Sequence, residues 1–244
     1  MSNDDLIHQI KGLEADNARL RRLLDRQGAP GGLRHQVRNT LASVREFVRR
    51  SAETSDNVED YAAHLDGRLD AVLRVQSAIA NGSPDGEVGL HTLVADELLT
   101  QAIAEGRRAA VAGPSVVLRP FAAGAFALAV HELATNAVKF GAMTVPEGLI
   151  DVSWSVAAGK DGEPRLTWAW MESGLSDLSP TPTRRGFGME LIERSLRYQL
   201  DATTELLFTP TGLHCTIGLP LLSWVGCLTP STGMAPPATP DSPG

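Results

Sequence analysis

The segment HELATNAVKFGAM, residues 131–143, places three polar side chains on one side of an otherwise apolar helix. Apolar and small residues precede it, so the spacing predicts one long helix over about 122–140. Within that helix Glu132, Asn136 and Lys139 stand at i, i+4 and i+7, and at 100° per residue they fall within a wedge of about 60°. One helical face therefore carries an acid, an amide and a cation.

This combination of groups suits a magnesium nucleotide. The amide oxygen of Asn136 can ligate Mg²⁺, a hard ion that prefers oxygen ligands. The ammonium group of Lys139 can neutralise phosphate charge, and the carboxylate of Glu132 can order a water ligand of the metal or assist proton removal. The alternative is a solvated helix face, which charged residues at this spacing usually form. The spacing alone leaves both interpretations open.

Around this helix the sequence changes between helical and strand patterns. Period-two alternation in 150–156 and in 166–170 predicts strands that each have one buried face. Together these patterns predict helices layered on an antiparallel-rich sheet, an α+β fold. The remaining predicted elements are a helix from Leu90 to about Glu105, short strands near Ala109 and Val116, a helix over about 187–199, and strands near 203–208 and 213–219.

The first 27 residues show the seam of a coiled coil. Leucine and isoleucine recur at alternating spacings of four and three from Leu6 to Leu24, with Asn17 at an a position. A buried Asn at such a position fixes the register and favours two strands, so we predict a parallel two-stranded zipper. An ordinary amphipathic helix packed on the rest of the protein is the alternative.

Two further helices precede the mixed region. The segment QGAPGG, residues 27–32, interrupts the helical pattern and predicts a joint. Helices over 33–52 and 58–80 each carry an apolar stripe, and two copies of this hairpin would form a dimeric four-helix bundle. The predicted regions are a coiled coil over 1–27, dimerisation helices over 33–80, a boundary loop over 81–86, a mixed domain over 87–222 and a disordered tail over 229–244.

Composition narrows the possible classes of function. The chain has 244 residues and a formal net charge of -7, which disfavours binding to nucleic acid or to an anionic membrane through a basic surface. The longest apolar run near the end, 220–228, is far shorter than the roughly 20 residues of a membrane helix. The N-terminus does not read as a secretory signal, so we predict a cytoplasmic protein without a membrane span. No GxxxxGK[ST] motif occurs, which excludes a P-loop ATPase.

Three further motifs accompany the segment HELATNAVKFGAM. This segment resembles the N box of Bergerat-type ATPase domains in histidine kinases, and in particular that of the HWE family, named for a His in this box and a Trp-x-Glu further along. The tripeptide WME (170–172) supplies the second element, RRGFGM (184–189) resembles the GFG box of the family, and RHQVRNTLA (34–42) resembles its phosphoacceptor box. The resemblance covers about 33–221, with the boxes in the family's order.

The resemblance implies a histidine kinase in which a helical hairpin forms a dimeric four-helix bundle, followed by a Bergerat-type α/β sandwich ATPase domain. His35 would accept the γ-phosphate of ATP, and Asn136 would hold Mg²⁺. Glu132 would be the second catalytic residue, which orders a water ligand of the metal or assists proton removal. Glu172 takes the place of the acid that binds the adenine amino group. The implied partners are a response-regulator receiver domain, a second copy of the chain, and a sensor or regulatory protein in trans. The other residues implied at the nucleotide are Lys139, Gly174, Arg185, Gly186, Phe187 and Gly188.

One part of the sequence departs from the family's pattern. After the acid the family usually reads Gly-Gly, whereas residues 172–175 here read ESGL, and Leu175 resists positive φ. We therefore expect the turn beneath the nucleotide to differ. The segment 173–185 is also short for a nucleotide lid. Both features favour an alternative function, a non-enzymatic phosphotransfer or scaffold protein with a decayed ATP pocket, which would receive phosphate on His35 from other kinases.

Overall fold

The computed structural model describes residues 57–81, 86–159, 162–176, 187–222 and 225–229, together with 45, 48 and 49. The predicted coiled coil over 1–27 and residues 230–244 of the predicted tail lie outside these ranges. Most of the first predicted hairpin helix does so as well, so the zipper, the bundle and the tail stay predictions.

The described elements follow the predicted order along the chain. The helices are α1 (Val58–Asn81), α2 (Leu90–Thr100), α3 (Pro120–Lys139), α4 (Phe187–Glu190) and α5 (Leu196–Leu200), with a 3-10 turn at Ala142–Thr144 and a π-helical turn at Leu191–Ser195. The strands are β1 (Val88–Gly89), β2 (Ala109–Ala112), β3 (Val116–Leu118), β4 (Leu149–Ala158), β5 (Pro164–Ser173), β6 (Thr203–Thr209), β7 (Gly212–Pro220) and β8 (Gly226–Leu228).

The main sheet has the strand order β2-β4-β5-β7-β6. Its neighbouring strands are antiparallel, except that β2 runs parallel to β4. Buried and more exposed residues alternate along β4 and β5, as the period-two pattern predicts for a sheet with one covered face. A smaller sheet has the order β1-β3-β8. Two of its three short strands, β1 and β8, were not predicted.

Helix α3 lies against the middle of the main sheet. Pro120 occupies its first turn. A backbone N–H at this position has no acceptor within the helix, so proline, which lacks this group, costs no helical hydrogen bond. Phe126 packs edge-on against Trp168 of β5, with ring centroids 5.2 Å apart, and Trp168 is fully buried. Such aromatic contacts bury a large apolar area and so hold the helix at a defined position on the sheet.

By length and composition, one stretch of the described chain, Pro120–Thr144, could cross a membrane. It contains α3, and 67% of its most apolar window is buried inside the protein. A helix at the centre of a folded core is apolar because it is removed from water, as a membrane helix is. We therefore assign this stretch to the core of the α+β fold.

Helix α1 confirms the second predicted helix of the hairpin, and it packs against α3. Ala71 and Val75 belong to the same hydrophobic core as the sheet, and Leu65 packs against that core. In this structure the apolar stripe of α1 therefore covers the α+β domain. The boundary predicted at 81–86 stays a prediction, since residues 82–85 lie outside the described ranges.

Two boundaries differ from the predicted positions. Helix α2 ends at Thr100 rather than near 105, and Ala102 has the left-handed φ of 57°, which a right-handed helix cannot continue through. Ile103 is nevertheless buried, so the apolar pattern runs past the end of the helix. At the C-terminal end, β8 pairs with β3 and adds described structure beyond the predicted domain limit at 222.

Candidate nucleotide-binding site

The polar face of α3 is not fully exposed to solvent. Glu132 has 7% of its surface exposed, Asn136 is half-buried and Lys139 is exposed. Burying a lone carboxylate costs free energy, so an acid at this depth needs a partner. The burial of Glu132 therefore disfavours the interpretation of this helix face as an ordinary solvated one.

Glu132 contacts two segments that are distant from it in the sequence. Its Oε1 accepts a hydrogen bond from Nε of Arg68 on α1 at 2.6 Å, within an ion pair. A Cβ atom placed on Gly188 would lie 2.8 Å from Oε2 of Glu132 and 3.4 Å from Nδ2 of Asn136. Because glycine has no Cβ, the backbone of α4 can approach these two side chains closely. The structure thus brings part of the GFG segment next to the N-box segment.

The side-chain amide of Asn136 is available to a ligand. Within the described ranges this amide makes no hydrogen bond. No cluster of three or more His, Cys, Asp or Glu side chains suited to a metal occurs in that part of the chain either. A nucleotide and water could supply the other oxygen ligands of a metal held by Asn136. That donor set fits Mg²⁺, which keeps several waters and binds substrate phosphates.

Lys139 is contacted by a histidine that the sequence pattern did not distinguish. Its Nζ lies 2.7 Å from Nε2 of His64 on α1. Burial lowers the pKa of His64, and the positive charges of Lys139 and Arg68 lower it further. A neutral imidazole nitrogen can accept a hydrogen bond from an ammonium group. Helix α1 therefore contacts both charged residues on the polar face of α3.

Glu172 lies near the end of β5, beside the C-terminal end of α3, and is 5% exposed. Its Oε2 accepts a hydrogen bond from the backbone N–H of Ala142 at 2.8 Å, and its Oε1 accepts one from Nε1 of Trp170 at 3.0 Å. Burial raises the pKa of Glu172, and the two hydrogen bonds oppose that increase. An ionised carboxylate has about four acceptor positions, so Glu172 can accept a further hydrogen bond from the amino group of a ligand.

Two glycines make room for the Glu172 segment. A Cβ atom on Gly141 would overlap Oε2 of Glu172, and one on Gly212 would overlap its backbone carbonyl. Gly141 belongs to the segment HELATNAVKFGAM, whereas no motif pointed to Gly212. The close approach of α3 and β7 to this acid therefore depends on residues without side chains.

The turn after Glu172 accommodates the departure from the family's pattern. Gly174 has φ of 89°, and a Cβ atom there would lie 2.7 Å from the carbonyl oxygen of Glu147, so this position requires glycine. Leu175 does not have positive φ, and its N–H donates a hydrogen bond to the carbonyl oxygen of Thr211 at 3.1 Å. The turn therefore makes no conformational demand that a leucine resists.

Known proteins are similar to this chain in sequence. The HWE histidine kinase family model matches residues 32–115. Blue-light-activated histidine kinase 1 of Erythrobacter litoralis is 31% identical over 192 residues, which are 78% of this chain and 52% of that protein. The chain contains an HWE histidine kinase domain.

The chain spans about half, or less, of the length of the curated relatives it matches. The blue-light-activated histidine kinase of Brucella ovis is 27% identical over 187 residues, which are 77% of this chain and 38% of that protein. The histidine kinase domain of the Erythrobacter litoralis blue-light activated kinase superposes with a TM-score of 0.50 at 17% identity, covering 74% of this chain and 94% of that domain. At this identity the superposition shows the fold alone, and it confirms the predicted mixed α+β fold.

The His of the HWE name, His131, is a buried structural residue in this chain. Its Nδ1 lies 2.8 Å from Oε1 of Glu97 on α2, and Arg74 of α1 also contacts Glu97. Burial opposes the ionisation of Glu97, but the hydrogen bonds and electrostatic attraction of His131 and Arg74 outweigh burial and lower the pKa of Glu97. This network ties α1, α2 and α3 together next to the polar face of α3.

Some predicted site residues lie outside the described part of the chain. These are His35, Arg185 and Gly186. Phe187 lies within the described chain, as the first residue of α4. Conversely, the sequence interpretation missed Arg68 and His64. A signal for Arg68 existed, because it stands seven residues after Tyr61 on the apolar side of α1, where an arginine indicates a buried ion pair.

The resemblance implies that Glu172 binds the adenine amino group, and on that basis the affinity of this chain for ATP should fall on acidification. Burial raises the pKa of Glu172 in the folded state. Ionisation of this carboxyl group therefore destabilises the folded protein, and the stabilisation that the protonated group gives is lost as pH rises through its folded-state pKa. Protonation at lower pH removes an acceptor for the adenine amino group. Calorimetric binding constants for a non-hydrolysable ATP analogue should show wild type exceeding Glu172→Gln at pH 8, with the difference shrinking towards pH 5. A pH-independent difference would contradict this role.

Proposed function

We propose that this chain is an ATP-dependent histidine kinase that transfers the γ-phosphate of ATP to its own His35 and then passes it to an Asp of a response-regulator receiver domain. The observation that carries the proposal is the convergence of Glu132, Asn136 and Gly188, with the acceptor Glu172 buried beside the C-terminal end of the same helix. These residues come from three separate boxes of the sequence. Their arrangement along α3 suits an extended nucleotide better than a compact ligand.

Each residue has a distinct role in the proposed complex. Glu172 would accept a hydrogen bond from the adenine amino group, and Lys139 would neutralise phosphate charge. Asn136 would hold Mg²⁺, which supplies charge neutralisation at the β- and γ-phosphates when bound. Glu132 would order water at the metal or assist proton removal, and Gly188 lets the backbone come close to the phosphates. Positioning and electrostatics of this kind are the main requirements of phosphoryl transfer.

The proposed chemical step needs no covalent intermediate before the phosphohistidine. An ordinary histidine has a pKa of about 6.5, so at pH 7 the His35 imidazole would be largely neutral and nucleophilic. A ring nitrogen attacks the γ-phosphorus, an N–P bond forms, and the P–O bond to the leaving ADP breaks with its electron pair going to ADP. The proton on the other ring nitrogen is then released to water.

Several features of the whole protein belong to this proposal as well. We propose a homodimer built from the zipper over 1–27 and the hairpin over 33–80, in the cytoplasm. A sensor or regulatory protein in trans would deliver the signal to this dimer. The nucleotide would also be bound by Arg185, Gly186 and Phe187, as the resemblance implies.

Labelling by ATP tests the proposal directly. With Mg²⁺ and γ-labelled ATP, the purified protein should acquire label that is acid-labile and alkali-stable, as a phosphoramidate is, and the label should map to His35. The His35→Ala variant should lose the label, because its acceptor nitrogen is gone. It should still bind nucleotide, since the phosphoacceptor lies outside the residues proposed to hold ATP.

The scaffold alternative makes the opposite prediction. A wild-type protein that neither labels nor binds ATP, yet accepts phosphate on His35 from a phosphorylated regulator, would be a phosphotransfer protein and not a kinase. The conformation of Leu175 removes one of the two features that favoured this alternative.

A further inference from the structure

An arginine of the helical hairpin is buried against the acid of the proposed nucleotide site. Arg68 lies on α1 with 3% of its side chain exposed, and Glu132 lies on α3 with 10% of its side chain exposed. Nε of Arg68 and Oε1 of Glu132 are 2.6 Å apart. At this depth water screens the two charges weakly, so each strongly affects the other.

Further contacts hold α1 at this position on α3. A Cβ atom on Gly67 would lie 2.8 Å from Nε2 of His131, so the two helices can approach closely only because this residue is glycine. His64 and Arg74, on either side of it along α1, contact Lys139 and Glu97. The ion pair of Arg68 is therefore part of a docked helix–helix interface with polar contacts along its length.

The two oxygens of the Glu132 carboxylate lie against two different helices. Arg68 on α1 binds Oε1, whereas Oε2 lies against the backbone of Gly188 on α4. Without the guanidinium group, a buried carboxylate has lost its partner, which is strongly unfavourable. It would then turn towards water, and the acid would no longer be in place beside Asn136.

We propose that Arg68 is a positioning residue that holds Glu132 in place for phosphoryl transfer, so that the ATP site is complete only while the hairpin helix is docked on the ATP-binding domain. The inference rests on the proposed kinase function. Arg68 belongs to the phosphoacceptor module and Glu132 to the ATP-binding domain. A change in the position of the hairpin would therefore alter the rate of the chemical step through this pair.

Arg68→Gln and the matched variant Arg74→Gln test the inference. For Arg68→Gln we expect the rate of His35 labelling at saturating ATP to fall roughly 10- to 100-fold, with the dissociation constant of a Mg–ATP analogue changed less than about threefold. Arg68→Lys keeps a positive charge and should recover part of the rate. Arg74→Gln also removes a hairpin arginine, but Glu97 retains His131. It should lower the melting temperature and keep the wild-type rate.

A combined variant separates loss of function from misfolding. Arg68→Gln should lower the melting temperature by roughly 5–15 °C, because a buried charge is left alone. Adding Glu132→Gln removes that charge and should restore much of the melting temperature without restoring labelling.

Four outcomes would overturn the inference. A wild-type rate in Arg68→Gln would show that Glu132 needs no such partner. An equal loss of rate in Arg74→Gln would show that the effect comes from helix docking in general and not from the Arg68–Glu132 pair. A parallel loss of nucleotide affinity in Arg68→Gln would assign Arg68 to ligand binding. A wild type that fails to label would instead overturn the proposed kinase function, and the inference with it.

Discussion

The Asn136→Ala variant should lose labelling of His35 by a factor of roughly 100 or more while keeping its fold. The amide of Asn136 is half-buried beside Gly188 and makes no hydrogen bond within the described chain, so its removal breaks no internal contact there. In the proposed complex the amide oxygen holds Mg²⁺ against the phosphates, so its removal would take away charge stabilisation in the transition state. Labelling with γ-labelled ATP and thermal unfolding should be measured side by side.

The adjacent residue supplies a matched control for this variant. The Oγ1 atom of Thr135 is buried and has no hydrogen-bond partner among the described residues. Thr135→Val replaces this hydroxyl with a methyl group of similar size, so it should label at the wild-type rate and be at least as stable. If Asn136→Ala labelled within about threefold of wild type, the metal would be held elsewhere; if Thr135→Val also lost labelling, the effect would belong to the helix and not to the metal ligand.

The Gly141→Ala variant should lose both ATP binding and a large part of its stability. Its φ of −109° is accessible to alanine, so the effect is steric. The added Cβ would overlap Oε2 of Glu172 and lie 2.8 Å from Cα of Ala137, which is backbone and cannot yield as a flexible side chain can. Overpacking of about 3 kcal/mol corresponds to a fall in melting temperature of roughly 6–12 °C for a chain of this size. Thermal unfolding and binding of an ATP analogue measure the two effects.

Gly124→Ala, in the interior of α3, is the control for this substitution. A Cβ atom at Gly124 meets nothing within 4 Å, and alanine is favoured over glycine in a helix interior by about 1 kcal/mol. This variant should therefore unfold at an equal or higher temperature and bind ATP as wild type does. Equal stability of Gly141→Ala and wild type would mean that the C-terminal end of α3 can move away from Glu172.

The arrangement of α1 on α3 gives the fold a functional consequence. Helix α1 contacts Glu132 and Lys139, two of the three residues that the sequence places on the polar face of α3. The apolar stripe that predicted a four-helix bundle covers the α+β domain in this structure. The position of the hairpin helix and the state of the proposed ATP site are therefore physically linked.

The sequence by itself determined those features that depend on local periodicity or on contiguous motifs. The long helix that contains HELATNAVKFGAM, the alternating strands β4 and β5, and the helix beginning at Phe187 all follow from it. Hydrophobic periodicity reports which face of an element is buried, and this requires no knowledge of the neighbour that covers it. The boxes around Glu172 and Gly188 were recognisable from the sequence because each is a run of adjacent residues that resembles a motif of the family.

Tertiary structure alone decided which partners these residues have. Arg68 and Glu132 are 64 positions apart, and Ala142 donates its N–H to a carboxylate 30 positions further on. Gly212 is needed because β7 passes beside Glu172, which no local pattern records. The physical reason is that periodicity gives the buried face of a helix, whereas the contacts on that face depend on how helices and strands pack. The buried ion pair at Glu132 thus emerged only when α1 and α3 were in place.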